Sequence, residues 1–133
     1  MKFPIGIQTF RDIIDNGFVY VDKTRLVHEL VTTSKVVFLG RPRRFGKSLL
    51  LSTIESYFQG KKELFKGLAI EALEKEWKAY PVLTLSFGRQ DFTRSEVLEK
   101  GIHTFLRNAE EKYGLVHAND TLGDRFFDLL RLI

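Results

Sequence analysis

Val36-Val37-Phe38-Leu39-Gly40-Arg41-Pro42-Arg43-Arg44-Phe45-Gly46-Lys47-Ser48-Leu49 is the stretch that decides how this chain is read. Val36 to Leu39 is an unbroken apolar run, rich in β-branched residues and closed by Gly40. A run without alternation predicts a strand covered on both faces, as in a parallel sheet, over Lys35–Leu39. A polar turn rich in Gly and Arg follows. Lys47-Ser48 then opens a helical pattern, with Leu50, Ile54, Tyr57 and Phe58 near 3.6-residue spacing and Gly60 as its stop.

Strand, turn, Gly-Lys-Ser and helix, in that order, form a phosphate-binding constellation. The turn's backbone N–H groups and the positive end of the helix face one anion. Gly46 permits close approach, Lys47 reaches the β- and γ-phosphates, and the Ser48 hydroxyl ligates Mg²⁺. The spacing departs from G-x-x-x-x-G-K-[ST] in one place. Arg41 stands where that pattern has Gly, and Gly40 comes one residue early. Phe45 fills a position that is usually small. The candidate phosphate-binding residues are Gly40, Arg41, Pro42, Arg43, Arg44, Phe45, Gly46, Lys47, Ser48 and Leu49, with Ser48 as metal ligand and ATP with Mg²⁺ as cofactors. The Lys47 ammonium is expected to face solvent when no ligand is bound. The Arg41, Arg43, Arg44 cluster is open to three readings: charge added to a phosphate pocket, grip on a nucleic-acid backbone, or a solvated basic loop.

Upstream of the loop, residues 9–15 suit a short helix and Phe18-Val19-Tyr20-Val21 a short strand. Asp22 or Thr24 can cap a helix whose face is Leu26, Val27, Leu30 and Val31. Downstream, residues 61–80 look helical with a break near Gly67. Pro81 opens a second expected strand, Val82 to Phe87, closed by Gly88. Ser95 to Tyr113 is a long amphipathic helix with Val97, Leu98, Ile102, Phe105, Leu106 and Ala109 on one face, ended by Gly114. Asp120 or Thr121 starts a last helix through Phe126, Phe127, Leu129, Leu130 and Leu132. Strands alternating with helices predict an α/β fold.

Composition bounds the remaining choices. The 133 residues make about one domain. Hydrophobic residues, at 44%, suffice for a packed core, so global disorder is excluded. There is no Cys, hence no disulfide, thiolate metal site or Cys nucleophile. His28, His103 and His117 lack metal-ligand spacing. The net charge of +4 is a modest basic excess, suited to an anionic ligand. Away from the loop the basic residues interleave with acids, as in Glu71-Ala72-Leu73-Glu74-Lys75-Glu76-Trp77-Lys78. That pattern suits a solvated surface better than a nucleic-acid stripe. The first residues lack a signal peptide's long apolar stretch, and no run of about 18 apolar residues exists. A cytoplasmic protein without a membrane partner is expected.

Taken together, several segments resemble the AAA-ATPase-like proteins of bacteria. They are Gly6-Ile7-Gln8-x-Phe10, Tyr20-Val21-Asp22-Lys23-Thr24, Arg41-Pro42-Arg43-Arg44-Phe45-Gly46-Lys47-Ser48-Leu49, Tyr57-Phe58-x-Gly60, Leu64-Phe65-x-Gly67-Leu68 and Trp77-x-x-Tyr80-Pro81-Val82. The resemblance covers most of residues 4–90. Its most specific element is Arg-Pro-Arg-Arg-Phe-Gly-Lys-Ser, a loop in which the family tolerates the missing Gly at Arg41. It implies an incomplete P-loop NTPase-type three-layer domain with parallel strands and flanking helices. Residues 1–34 would be a lead-in and 35–133 the P-loop strand–helix core.

In the family, the strand carrying the acidic Walker B pair follows a segment like 121–133, and many members carry a C-terminal PD-(D/E)XK nuclease domain. The resemblance therefore implies the N-terminal part of a longer protein, one that binds nucleotide without the Walker B carboxylates. Asp91, the nearest acidic residue after the second expected strand, is not assigned to Mg²⁺. Hydrophobic strand edges left without neighbours would be met by homo-oligomerisation, by direct pairing of the two strands, or by marginal stability. A nucleic-acid-binding module using the basic loop is the alternative function. Gln8, Phe10 and Tyr20 precede the loop, where such ATPases often build the base pocket, but the pattern of Phe10 and Tyr20 reads as core. Trp77 reads as a core or interface anchor.

Overall fold

The computed structural model describes residues 1–86, 94–116 and 121–133. They fall into two compact units, Met1–Val82 and Leu83–Ile133. The first contains α1 (Phe10–Asp15), α2 (Thr24–Thr33), α3 (Lys47–Phe58), a 3₁₀ turn (Lys62–Phe65) and α4 (Ala69–Leu73). The second contains α5 (Ser95–Tyr113) and α6 (Leu122–Leu132).

Among the described residues there is no strand and no sheet, so the expected three-layer α/β arrangement with parallel strands is not what this chain forms. Residues 18–21, 35–39 and 82–86 are all irregular. The reason is that a strand exists only as a member of a pair, since its N–H and C=O groups must be met across a ladder. The run at 36–39 has the composition of a buried strand and none of its neighbours. Val36 is 91% and Phe38 93% exposed, and no backbone hydrogen bond links residues 35–40 to another described segment. Phe87 and Gly88, the end of the second expected strand, lie outside the described residues, as do Asp91, His117 and Asp120.

The first unit's core is Phe10, Val27, Leu64, Phe65 and Ile70. Around it pack Ile14, Tyr20, Val31, Leu49, Leu50, Ile54, Tyr57, Leu68 and Trp77. α1 lies on α3 and α2 on α4. The Phe10 ring sits 4.9 Å from that of Phe65 and 5.1 Å, edge on, from that of Tyr20. Both aromatics are therefore packing residues, and Trp77 joins them at 5.1 Å from Phe65.

α3 ends as its sequence indicates. Gly60 takes a left-handed φ of 66°, and Lys61 N–H reaches back to the Ser56 carbonyl at 3.2 Å. A side chain at Gly60 would also press on Ala79 at 3.2 Å. The expected helical stretch over 61–80 is interrupted more than foreseen. It holds one 3₁₀ turn and one five-residue helix, then becomes irregular from Glu74. Tyr80 precedes Pro81, which disfavours helix, and its N–H instead meets the Phe58 carbonyl at 2.7 Å.

Asp22 ties two helices together. Its Oδ1 accepts from Thr24 N–H (2.8 Å) and Thr24 Oγ1–H (2.7 Å), closing the start of α2. Its Oδ2 accepts from Ala69 N–H at 2.7 Å, and Thr24 Oγ1 accepts from Ile70 N–H at 3.1 Å, closing the start of α4. Two helix ends 45 residues apart in sequence thus share one carboxylate–hydroxyl pair, each supplying orphan donors that would otherwise go unmet.

In the second unit Leu106, Ala109 and Leu129 form the core. Gly114, with φ 66°, stops α5, and the Thr121 hydroxyl accepts from Asp124 N–H at 3.2 Å to start α6. Arg125 on α6 grips Glu110 on α5 with two bonds, Nε to Oε1 at 3.0 Å and an η-nitrogen to Oε2 at 2.6 Å. Its other η-nitrogen lies 3.1 Å from His103 Nδ1. Both members of this pair are buried.

Two stability predictions follow from these pairs. Arg125→Met removes both bonds to the buried Glu110 carboxylate and is expected to cost about 3 kcal/mol in urea unfolding of the chain. Asp22→Ala is expected to cost about 2 kcal/mol, for two helix starts rather than one. Burial pushes the Asp22 carboxyl up, but the bonds from Thr24 Oγ1–H, Ala69 N–H and Thr24 N–H outweigh it and hold it below the usual carboxylate range. A folded-state value below the unfolded one adds stability above the unfolded value, and that stability is lost as pH falls through the folded one. The Asp22→Ala difference should therefore be full at pH 7 and fade below about pH 4. A difference that grows on acidification contradicts the assignment.

Candidate functional site

Residues 40–46 form an exposed loop that runs straight into α3. Two residues in it carry positive φ: Arg44 at 67° and Gly46 at 74°. Gly46 pays nothing for this conformation, and a Cβ there would meet no atom within 4 Å. Arg44 has no such freedom and is held there at a cost of roughly 1 kcal/mol. Left-handed residues alternating with ordinary ones turn successive N–H groups to one side, the geometry of a backbone nest for anions.

Gly46 is also the N-cap of α3 and offers no side-chain acceptor to the helix. The first bond of the helix ladder runs from Leu50 N–H to the Gly46 carbonyl at 2.9 Å. The N–H groups of Lys47, Ser48 and Leu49 precede it and have no place in that ladder. α3 is twelve residues long, so its full end dipole lies behind these donors.

Lys47 does not stand free in solvent as expected. It folds back over the loop, its Nζ donating to the Arg41 carbonyl and, at 3.0 Å, to the Pro42 carbonyl. This clasp joins the first and last parts of the loop and sets an ammonium beside the unpaired amides. Ser48, the expected metal ligand, is exposed at the second helical position. Arg41, Arg43, Arg44 and Phe45 are all exposed, and none of the three arginines is in an ion pair among the described residues. Leu49 differs from the other nine candidates, because its side chain packs on the first unit's core. It contributes backbone to the loop and anchorage to the fold.

One residue that the sequence reading passed over holds this site in place. Ser52, one turn into α3, accepts from Phe10 N–H at 2.8 Å, so the start of α1 is pinned to the helix behind the loop. Its own hydroxyl hydrogen has the Leu49 carbonyl at 2.9 Å and the Gln8 carbonyl at 3.3 Å as acceptors. A small hydroxyl on the same helix as Gly-Lys-Ser, flanked by apolar positions, was the only signal in the sequence. Thr53 beside it is buried and donates to the Leu49 carbonyl at 2.9 Å, and burial opposes ionisation of the nearby Tyr20 hydroxyl. Gln8 itself is exposed.

Among the described residues no group of three or more His, Asp or Glu side chains could hold a metal ion. No helix among them is long and apolar enough to cross a membrane.

The family described as "Predicted AAA-ATPase" matches residues 4–133. An uncharacterized protein in the vnfD 5' region of Azotobacter chroococcum mcd 1 is 38% identical over 131 residues. That alignment covers 98% of this chain and 25% of the relative, so the chain spans about a quarter of the protein it matches. No solved structure matches it.

The left-handed pair gives a matched test. Arg44→Gly is expected to stabilise the chain by about 1 kcal/mol, and Gly46→Ala to destabilise it by about the same amount. Denaturant unfolding of the two variants checks this. Shifts of equal sign would mean that the loop does not hold both residues at positive φ.

Proposed function

The chain belongs to the AAA-ATPase-like family, and from that premise we propose that it binds ATP through residues 40–48. The observation that carries this reading is the start of α3: Gly46 in the left-handed region, unpaired amides after it, and the Lys47 ammonium folded over the same loop. Backbone donors, a fixed helix end and a mobile cation are what a triphosphate requires. The residues present fit Mg-ATP. The amides of residues 46–49 would take phosphate oxygens, Lys47 would exchange its loop carbonyls for phosphate, and the Ser48 hydroxyl would be a ligand for Mg²⁺. The ion would neutralise charge on the phosphates.

The clasp gives binding a specific cost and a specific gain. Lys47 must leave two carbonyl acceptors, and it regains charged ones. An ammonium beside an ionised phosphate oxygen gains the attraction of opposite charges, which a neutral carbonyl does not offer, so the exchange favours the bound state. The carbonyls it leaves are on an exposed loop, where water can replace it.

Hydrolysis asks for more than the described residues display around the loop. In-line attack needs an oriented water and a metal held from a second side. Ser48 is one ligand, and the described residues bring no carboxylate cluster to it. We therefore assign the 133-residue chain binding without turnover.

Calorimetric titration with Mg-ATP tests the reading. Saturable binding is expected, weakened about tenfold to a hundredfold in Lys47→Ala with unfolding unchanged. Ser48→Ala should lose affinity only when Mg²⁺ is present. Equal affinity of Lys47→Ala and parent overturns the loop assignment, and steeply salt-dependent DNA binding insensitive to ATP would put a nucleic acid in its place. Phosphate release at saturating Mg-ATP should match the Lys47→Ala blank, whereas Lys47-dependent release near about one per second would show a complete catalytic set.

A further inference from the structure

A second concave site lies in the first unit, built without any residue of the 40–48 loop. It is a cavity of about 290 Å³ between the C-terminal end of α3 and the irregular chain after α4. Its walls are mainly of two kinds. Tyr57, Phe58, Trp77 and Tyr80 supply aromatic surface, Glu74 and Glu76 supply carboxylates, and Val31 and Lys78 complete the lining.

The rings are fixed by one another. Tyr57 meets Phe58 edge on at 5.2 Å and Trp77 at 5.8 Å, and Phe58 meets Tyr80 at 6.1 Å. The Tyr80 backbone is tied to Phe58 by its N–H bond. Glu76 already has a cation, Lys78, at 2.7 Å. Glu74 is different. Its Oε2 accepts from the Tyr57 hydroxyl and its Oε1 from Glu76 N–H at 2.9 Å, both neutral donors. His28 Nε2 stands 3.9 Å away and is a cation only when protonated. The Tyr57 hydroxyl bond, followed by weaker opposition from burial, holds the Glu74 carboxyl below its usual range, so it is ionised at neutral pH. Lys78 also acts on Glu74 through space, but its close ion pair is with Glu76, so an ionised carboxylate bonded only to neutral donors faces a space walled largely by ring faces.

We propose that this cavity binds an organic cation, a guanidinium or alkylammonium group, between the rings of Tyr57, Trp77 and Tyr80 and against Glu74. Ring faces attract a cation through their quadrupole, and more strongly where water is partly excluded. A fixed carboxylate at the same place adds the charge that anchors it. An anionic ligand would meet Glu74 and Glu76 together and is disfavoured.

Trp77 is the chain's single tryptophan, so its fluorescence comes from one place, the wall between this cavity and the Phe65 ring. The test is a fluorescence titration of the full chain with N-acetyl-arginine methylamide, with the citrulline analogue as its uncharged counterpart. Saturable change with a dissociation constant on the order of millimolar is expected for the arginine compound. The citrulline compound should bind at least about tenfold more weakly. Glu74→Gln should weaken arginine binding about tenfold, and Tyr80→Leu about threefold while leaving the carboxylate in place. A short peptide with a central arginine that binds more tightly than the single residue identifies a chain segment as the source, and equal affinity identifies a free small cation. The proposal is overturned by absence of saturation, by equal responses to the arginine and citrulline compounds, or by undiminished binding in Glu74→Gln. If Glu74→Gln does not fold, undiminished binding in Tyr80→Leu overturns it equally.

Discussion

The N-terminal end of α3 is the constraint around which the first unit is arranged. A helix leaves its first amides without partners, and here no side chain caps them. They are left open by Gly46, whose left-handed backbone lets the loop enter the helix directly. What keeps this end in place is packing and hydrogen bonding one turn further on. Leu49, Leu50 and Ile54 pack on the core, and Ser52 binds the backbone of residues 8–10. The end of the helix is thus rigid where it is anchored and unsatisfied where it is exposed. The Lys47 clasp is the reversible part, an ammonium parked on two carbonyls of its own loop.

Asp22 and Thr24 give that anchorage its support. By closing the starts of α2 and α4 with the same two side chains, they bring Val27 and Ile70 together in the core with Phe65. Phe65 in turn carries Phe10 and Trp77. A chain of contacts therefore runs from a surface carboxylate to the α1 start that Ser52 holds. The exposed apolar run at 36–39 lies outside this network, and its exposure is the structural consequence of having no strand beside it.

The local elements were legible because their signals are local. The bounds of α5, Ser95–Tyr113, are those its periodicity indicates, with Gly114 as the stop. Thr121 caps α6, and α3 begins at Lys47, where the Gly-Lys-Ser motif puts it. The family could be read from Arg-Pro-Arg-Arg-Phe-Gly-Lys-Ser and its companion motifs. The strands could not be read in the same way. Composition at 35–39 records what a residue is suited to, whereas a strand also needs a neighbour, which lies in no single segment. Long-range pairings were hidden for a related reason. Nothing in the sequence couples Asp22 to Ala69, Ser52 to Phe10 or Arg125 to Glu110, because each is a polar residue whose partner is chosen by the fold. The direction of the Lys47 side chain was equally invisible, since it depends on which carbonyls the loop turns inward.

The most direct test of the account is residue-resolved: amide chemical shifts of the ¹⁵N-labelled chain during titration with Mg-ATP. The account places the phosphates on the backbone at the start of α3. It predicts saturable shifts concentrated at the amides of residues 44–49, with the Lys47 ammonium signal moving in step as it leaves the Arg41 and Pro42 carbonyls. Shifts confined to other parts of the chain, with the amides of residues 44–49 unmoved at saturation, would contradict it.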